Sequence, residues 1–283
     1  MSRQTFPIDV VYCWCGSPET KYCMYNKDIH YSIKSVQKFM PWVRTIWITV
    51  PDKCDYTKLP KASNIKTVKE SDFVPKQFLP VLWNSNVIES WIWRIDGIAE
   101  HFVYFCDDMF VGQKVKRGDF FLQGKPVLRI YDGKPDYPPL SVLKTQKLWP
   151  NHGDYVRMWA GVVEEYNFHY TRIQHQALPY RKSHMERFYN QYESKIKLAS
   201  KNKTRNGEHD FNLLRFTSAL SVMHGLSYLI VTFDDHDFFT ESDDVIRIKQ
   251  IFKKKPTFFC INNSSMASGE KLYYKEFETL FGK

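Results

Sequence analysis

Residues 79–112, LPVLWNSNVIESWIWRIDGIAEHFVYFCDDMFVG, join a helix-like segment to a short hydrophobic strand that stops at two aspartates. Within residues 87–98 the apolar side chains recur at spacings of three and four, which predicts a helix buried on one broad face. Residues 102–106 are too few and too continuously apolar for a second helix, so we interpret them as an interior strand. Asp107 and Asp108 are therefore expected at the carboxyl end of a strand, where ligands bind in open α/β sheets.

Two adjacent carboxylates at the end of a buried strand form a hard oxygen site, which suits Mg²⁺ or Mn²⁺ holding a diphosphate. The alternative is that these aspartates simply stabilise the following turn, as aspartate often does. The start of the preceding helix carries a dense polar set, namely Asn84, Ser85, Asn86, Glu89 and Arg94. Residues 84–86 could simply form the N-cap, and Glu89 could support the first helical turn.

The chain before this stretch predicts a strand at 8–13, a helix at 29–40, a strand at 45–50 and a third short strand at 65–68. A strand, a helix and a strand in this order form a βαβ unit, which favours a parallel sheet. After residue 112 the pattern is less regular, and we expect a helical or irregular insert at about 113–204 that either faces an acceptor substrate or varies among related proteins. The further expected elements are a strand at 127–131, helices at 181–199 and 211–224, strands at 228–232 and 257–261, and a closing helix at 270–281.

The composition is that of a globular protein, since 43% of the 283 residues are hydrophobic and 16% are aromatic. We expect one compact domain over residues 1–283. No window approaches the ~18 apolar residues that a membrane helix requires. The amino terminus lacks the apolar segment of a secretory signal, so we expect a cytoplasmic protein.

The net charge of +9 favours anionic partners, which include nucleic acid, acidic lipid surfaces and the phosphates of nucleotide sugars. Residues 175–206 contain eight Lys or Arg against two Asp or Glu, as expected for a phosphate site and equally for a solvated helix face. We expect no nucleic-acid partner, because the chain has no recognisable binding motif. A peripheral contact with an acidic membrane surface stays compatible with the charge, and the oligomeric state stays open.

Six cysteines stand at positions 13, 15, 23, 54, 106 and 260. Cys106 and Cys260 lie in apolar runs and are interpreted as small core residues. The amino-terminal cysteines together with His30 could bind zinc, but their spacing matches no common zinc motif. Without a secretory signal, reduced thiols are expected.

Residues 79–112 resemble the second conserved region of the Stealth family, the sugar-phosphate transferases that include bacterial capsule polymerases and the lysosomal GlcNAc-1-phosphotransferase. IDVVYCW at 8–14 is similar to the first region of that family, and residues 26–52 to the opening of the second. Residues 175–210 resemble the third region and TFFCINN at 257–263 the fourth. With this resemblance we expect a Rossmann-like, glycosyltransferase-A-like α/β fold: a mainly parallel sheet flanked by helices, with a core at about 6–112 and 205–283.

The resemblance implies transfer of a hexose-1-phosphate, with GlcNAc-1-phosphate the first choice, from a UDP-sugar to a glycan hydroxyl with release of UMP. It implies catalytic roles for His175, Arg205, Asp108 and Glu89. Mg²⁺ or Mn²⁺ is expected on Asp107 and Asp108. The expected substrate-binding residues are Asp9, Asn84, Ser85, Asn86, Arg94 and Asn262.

The sequence departs from the family pattern in two places. The loop at 15–19 reads CGSPE where the family usually carries further acidic residues, and Asn262 is followed by Asn263 where the family usually shows Asp. Three hypotheses therefore stay open: the hexose-1-phosphotransferase, a metal-dependent glycosyltransferase that releases UDP, and a non-catalytic relative that binds nucleotide sugars.

Overall fold

The computed structural model describes residues 6–14, 27–81, 84–131, 177–203, 211–232, 237–241, 244–262 and 273–282. Five residues named above lie outside this part of the chain: Cys15, Cys23, His175, Arg205 and Asn263. The zinc hypothesis and the CGSPE loop fall outside it as well.

The described part of the chain contains eleven strands and six α-helices. The strands are β1 (Ile8–Cys13), β2 (Ile46–Val50), β3 (Ile65–Lys69), β4 (His101–Phe105), β5 (Met109–Val111), β6 (Phe121–Leu122), β7 (Lys125–Tyr131), β8 (Leu178–Arg181), β9 (Tyr228–Thr232), β10 (Asp237–Glu241) and β11 (Phe258–Asn262). The helices are α1 (Asp28–Phe39), α2 (Ser85–Trp91), α3 (Lys182–Ala199), α4 (Leu213–Met223), α5 (Val245–Lys254) and α6 (Tyr274–Phe281).

The central sheet has five strands in the order β3-β2-β1-β4-β8. Its first four strands are parallel and β8 is antiparallel to β4, which confirms a mixed α/β fold with a mainly parallel sheet. Two three-stranded sheets have the orders β10-β11-β5 and β6-β7-β9. Since β5 follows β4 closely in the chain, the first of these small sheets adjoins the carboxyl edge of the central sheet.

Helix α1 confirms the βαβ unit predicted for the amino-terminal part of the chain. Its apolar side chains at Ile29, Ile33 and Val36 are fully buried and belong to the same core cluster as β1 and β2. Asp28 in the first turn and Lys38 in the last turn have the charges that stabilise a helix dipole. None of the described helices combines the length and the apolar character needed to cross a bilayer.

Helix α2 is shorter than its apolar pattern predicts. It ends at Trp91, a single 3₁₀ turn covers Ile92–Arg94, and the backbone of Ile95 is not helical. Gly97 adopts a φ of 74°, which favours glycine. Ile95 is nevertheless completely buried, so the pattern identified the buried residues correctly and the helical conformation only in part.

The expected insert at 113–204 includes residues that belong to the core. Strand β8 pairs with β4 in the central sheet. Helix α3 buries Met185, Phe188, Tyr192 and Ile196, the four residues spaced as a helix in the sequence, in the core cluster that also contains α4. The helix predicted at 181–199 is therefore confirmed, whereas the insert boundary does not hold for residues 177–199.

Asp9 lies at the amino-terminal end of β1, away from the carboxyl edge where ligands bind. It is completely buried, and Arg44 donates to both of its carboxylate oxygens at 2.8 and 2.6 Å. Trp47 Nε1 and the backbone N–H of Ala99 donate to Oδ2 at 2.9 and 2.8 Å. The expected substrate contact does not fit this position, because four donor groups from three residues already saturate the carboxylate.

We expect Asp9→Ala to lower the free energy of unfolding by about 3–5 kcal/mol, since it leaves buried donors and a guanidinium without their carboxylate. Urea denaturation checks this as a lower midpoint at unchanged slope. Asp96→Ala, at an exposed site, is the matched control and should stay within about 0.5 kcal/mol of wild type. A small stability loss together with weaker nucleotide binding would instead restore Asp9 to the substrate site.

Candidate active site

The acidic turn at residues 106–108 links the central sheet to the small sheet that contains β5. Met109 N donates to Cys106 O at 3.2 Å, which closes the turn, and both aspartates are half-buried. Ile261 N donates to Asp108 O at 3.0 Å, so the end of β11 lies against the turn. Asn262, the next residue and an expected substrate contact, is thereby brought to the edge that carries Asp107 and Asp108.

The carboxylate of Asp108 is in an unfavourable environment for a negative charge. Its Oδ1 is buried and has no hydrogen-bond partner among the described residues. Burial, followed by repulsion from Asp107, raises the pKa of Asp108 to about 7, while the Cys260 thiol opposes the shift as a hydrogen-bond donor. A buried oxygen without a partner beside a second carboxylate suits a bound cation.

The described residues contain no group of three or more His, Cys, Asp or Glu side chains placed to hold a metal ion. A two-carboxylate site is still what Mg²⁺ commonly uses, since it keeps several waters and takes its other ligands from substrate phosphates. Asp28 was not identified from the sequence and adds to the negative potential at Asp108. It is completely buried and accepts a hydrogen bond from Tyr273 Oη at 3.3 Å.

Glu89 reaches the same edge from α2. Tyr104 Oη on β4 donates to its Oε1 at 2.8 Å, and the Asn212 side-chain amide donates to Oε2. Glu89 and Asp108 both act on the Cys106 thiol, whose pKa is raised well above its ordinary value by burial first and then by these two carboxylates. The two expected catalytic carboxylates therefore flank one thiol.

The polar residues at the start of α2 lie in one hydrogen-bond network. Asn84 caps the helix, accepting from Asn86 N at 3.1 Å, and its amide donates to Asn202 O at 3.2 Å. Asn86 Oδ1 accepts from the Asn212 amide at 2.9 Å. The N-cap interpretation is confirmed, and the network also joins α2 to the chain on both sides of residues 204–210. Ser85 is half-buried as the first residue of α2.

Arg94 is not brought to this network. It follows α2 on the side that leads to the amino end of β4, and it is exposed. Its guanidinium lies 5.5 Å from the centre of the Trp91 ring. This position fits a cation–π contact at the surface better than the expected substrate contact.

The described residues that follow His175, and those on both sides of Arg205, lead to the edge of the central sheet that carries Asp107 and Asp108, which we call the acidic edge. Strand β8 runs antiparallel to β4 and begins with Leu178 paired to Tyr104, so the chain enters β8 at the carboxyl end of β4. Asn202 and Asn212, which flank Arg205, both contact α2. His175 and Arg205 themselves lie outside the described residues.

Tyr104 and Asn212, like Asp28, are site residues that sequence reasoning missed. Tyr104 lies within an apolar strand, where an aromatic residue is expected in the core. Asn212 stands immediately before an apolar helix, and that position is fully explained by an N-cap. The signal for a second role was therefore absent from the local sequence.

Glu70 lies at the carboxyl end of β3 and is 2% exposed. Burial, followed by the nearby Asp52, raises its pKa to about 8 from an ordinary 4.5. Between these values the folded state holds a proton that the unfolded state has released, so the free energy of unfolding falls as pH rises from 4.5 to 8.

We expect Glu70→Gln to remove this pH dependence. The variant should match wild type at about pH 4.5 and exceed its free energy of unfolding at pH 9 by about 4–5 kcal/mol, because the amide need not ionise. Urea denaturation at both pH values measures the difference. Equal pH slopes for the two proteins would contradict the assignment to Glu70.

Comparisons with known proteins identify the family of this chain. Residues 23–127, which include α1, α2 and the acidic turn, match Stealth protein CR2, conserved region 2. A capsular polysaccharide phosphotransferase of Haemophilus influenzae is 30% identical over 308 aligned residues, covering 96% of this chain and 82% of the relative. A capsular polysaccharide phosphotransferase of Neisseria meningitidis serogroup B is 25% identical over 96% of this chain and 81% of its own length. For one of Aeromonas hydrophila the values are 28%, 75% and 64%. The chain therefore belongs to the Stealth family.

Proposed function

We propose that this protein is a phosphotransferase of polysaccharide biosynthesis. In the proposed reaction it moves a hexose-1-phosphate, GlcNAc-1-phosphate in the first instance, from a UDP-sugar to a glycan hydroxyl. The acceptor oxygen forms a bond to the β-phosphorus, the bond from that phosphorus to the bridging oxygen breaks, and UMP leaves. The glycosidic C–O bond stays intact. The fold we propose for this chemistry is of the Rossmann-like, glycosyltransferase-A type.

The observation that supports this proposal most is the acidic turn with its unpartnered buried oxygen. Asp107 and Asp108 lie at the carboxyl edge of a parallel sheet, and Asp108 Oδ1 is buried without a hydrogen-bond partner in the described part of the chain. The named relatives are capsular polysaccharide phosphotransferases, which makes a diphosphate the most suitable ligand for such an edge.

Asp107 and Asp108 would hold Mg²⁺ or Mn²⁺. When bound, such an ion supplies positive charge that neutralises the diphosphate. Arg205 would contact the phosphate oxygens through its planar guanidinium, which matches their geometry in a bidentate manner. This arrangement answers the main requirement of phosphoryl transfer, the stabilisation of negative charge.

His175 would accept the proton of the acceptor hydroxyl or donate to the phosphate. Glu89 would orient the sugar, since its carboxylate is held at the same edge by Tyr104 and Asn212. Asn84 and Asn262 would donate to sugar or phosphate, and Ser85 and Asn86 would complete the polar start of α2. In this scheme the two halves of the chain supply different parts of one site.

The test is to incubate the protein with UDP-GlcNAc, Mg²⁺ or Mn²⁺ and a panel of candidate glycans, and to identify the nucleotide released. UMP together with a glycan that carries GlcNAc-1-phosphate in a phosphodiester is the expected result. UDP with a glycosylated product would establish a glycosyltransferase instead. Saturable nucleotide binding with no turnover under either ion would establish the non-catalytic alternative.

A further inference from the structure

The carboxylate of Glu89 is held by two neutral donors. The side chain is 5% exposed, Tyr104 Oη donates to Oε1 at 2.8 Å, and the Asn212 amide donates to Oε2. Each oxygen therefore has its own donor, one from β4 and one from the residue before α4. A carboxylate held in this way has a fixed orientation, because rotation about its last bond would break both hydrogen bonds.

The side chain of Asn212 both accepts and donates hydrogen bonds. Its Oδ1 accepts from Arg215 N at 3.0 Å and caps α4, while its amide donates to Glu89 and, at 2.9 Å, to Asn86 Oδ1. The residue is completely buried. Capping requires only the acceptor, and serine satisfies that requirement about as well as asparagine. The donor side is therefore not explained by the helix cap.

The start of α4 is also held against α2 by the backbone. Leu213 N donates to Ser90 Oγ at 2.9 Å, directly beside the Asn212–Glu89 contact. The Asn212 amide is thus placed by the surrounding structure and does not have to be ordered by Glu89. Such preorganised support is what keeps a functional side chain in a productive geometry.

We infer that Asn212 and Tyr104 are positioning residues that fix the Glu89 carboxylate at the acidic edge. The inference rests on the proposed function in that it assigns the fixed orientation of Glu89 a role in the transfer step. Asn212 acts through Glu89 and through Asn86, and it is not itself required to contact the substrate. Its donor amide, not its capping oxygen, is the group that matters for the reaction.

Two substitutions at Asn212 separate the donor from the cap. Asn212→Ser keeps a capping acceptor and removes the amide, whereas Asn212→Ala removes both. We expect both variants to lower kcat for UMP release from UDP-GlcNAc by a similar factor of roughly 10–100, with little change in donor KM. Both variants should lower the melting temperature, because both leave the buried Glu89 carboxylate without one of its donors, and Asn212→Ala should lower it further because it alone loses the cap. Wild-type kcat in Asn212→Ser would overturn the inference.

Tyr104→Phe and Ser218→Ala complete the design. Tyr104→Phe removes the other donor to Glu89. It should likewise lower kcat with little change in the KM for the donor. Ser218 lies in α4 and donates to Tyr180 Oη at 2.8 Å in the buried core, so Ser218→Ala removes one buried hydrogen bond from the same helix without touching Glu89. We expect it to lose stability and keep kcat. A loss of kcat in Ser218→Ala equal to that in Asn212→Ser would reduce Asn212 to a structural role.

Crystal structures of wild type and Asn212→Ser provide a measurement that does not depend on activity. We expect the Glu89 carboxylate to leave its wild-type position in the variant, and an unchanged carboxylate would overturn the inference. If wild type releases no UMP, the proposed function fails on its own, and the two structures still decide whether Asn212 positions Glu89.

Discussion

Asp108→Asn is expected to lower transfer from UDP-GlcNAc by roughly 10²–10³-fold without lowering the stability of the metal-free protein. The amide keeps the shape of the side chain but cannot supply the negative charge that a divalent ion requires. At the same time it relieves the repulsion from Asp107 at a position where one carboxylate oxygen is buried and has no partner among the described residues. Activity should therefore fall while stability stays the same or rises. This is the behaviour of sites where a functional group destabilises the folded state.

Two measurements check this expectation: UMP release at saturating UDP-GlcNAc with Mg²⁺, and the melting temperature in the presence of a chelator. Asp119→Asn is the matched control, since the Asp119 carboxylate accepts a hydrogen bond from Lys116 N in a turn away from the site, and the contact of Arg129 with the Asp119 carbonyl does not involve the side chain. It should keep full activity. Near-wild-type transfer by Asp108→Asn would remove this residue from the mechanism, and a large loss of stability would mean that its carboxylate is structural.

His175→Ala is expected to lower transfer by roughly 10²–10⁴-fold, the range typical of losing a general acid or base. The reason is that the acceptor hydroxyl would lose the group that takes its proton, while binding of the UDP-sugar would keep its cation and phosphate contacts. The effect should therefore fall on kcat, with the affinity for UDP, measured by calorimetry, nearly unchanged.

His184→Gln is the matched control for His175→Ala. His184 follows the opposite end of β8 and is buried, and burial, followed by Arg181, lowers its pKa to about 4. It is neutral at neutral pH and lies at the amino end of β4, away from the acidic turn. We expect full activity from this variant. Equal losses in the two variants would indicate damage to the β8 region rather than loss of a base at position 175.

Local patterns predicted much of the fold because they report which residues are buried. The strands at Ile8–Cys13 and Tyr228–Thr232 were predicted with the bounds that the structure has, and α3 was predicted to within one residue. In each case the apolar spacing is strong enough to select one conformation. The same information placed Asp107 and Asp108 after a buried strand, and the structure confirms that position.

Other features depend on contacts that no local pattern contains. Strand β8, with the sequence LPYR, is too short and carries a proline, so only its pairing with β4 makes it part of the core. Asp9 was expected to bind substrate, and only the approach of Arg44, Trp47 and Ala99 shows that it is a buried ion-pair residue. Glu89 and Asn212 are 123 residues apart and meet only in the folded chain.

The sequence by itself determined the family, the order of the main elements and the acidic turn, because these follow from periodicity and from a long specific match. Only the tertiary structure decided which polar residues lie at the candidate site on the edge of the sheet and which stabilise the protein interior. The physical reason is that a polar side chain acquires its role from the donors and charges that surround it. Those neighbours come from distant parts of the chain, and only folding brings them together.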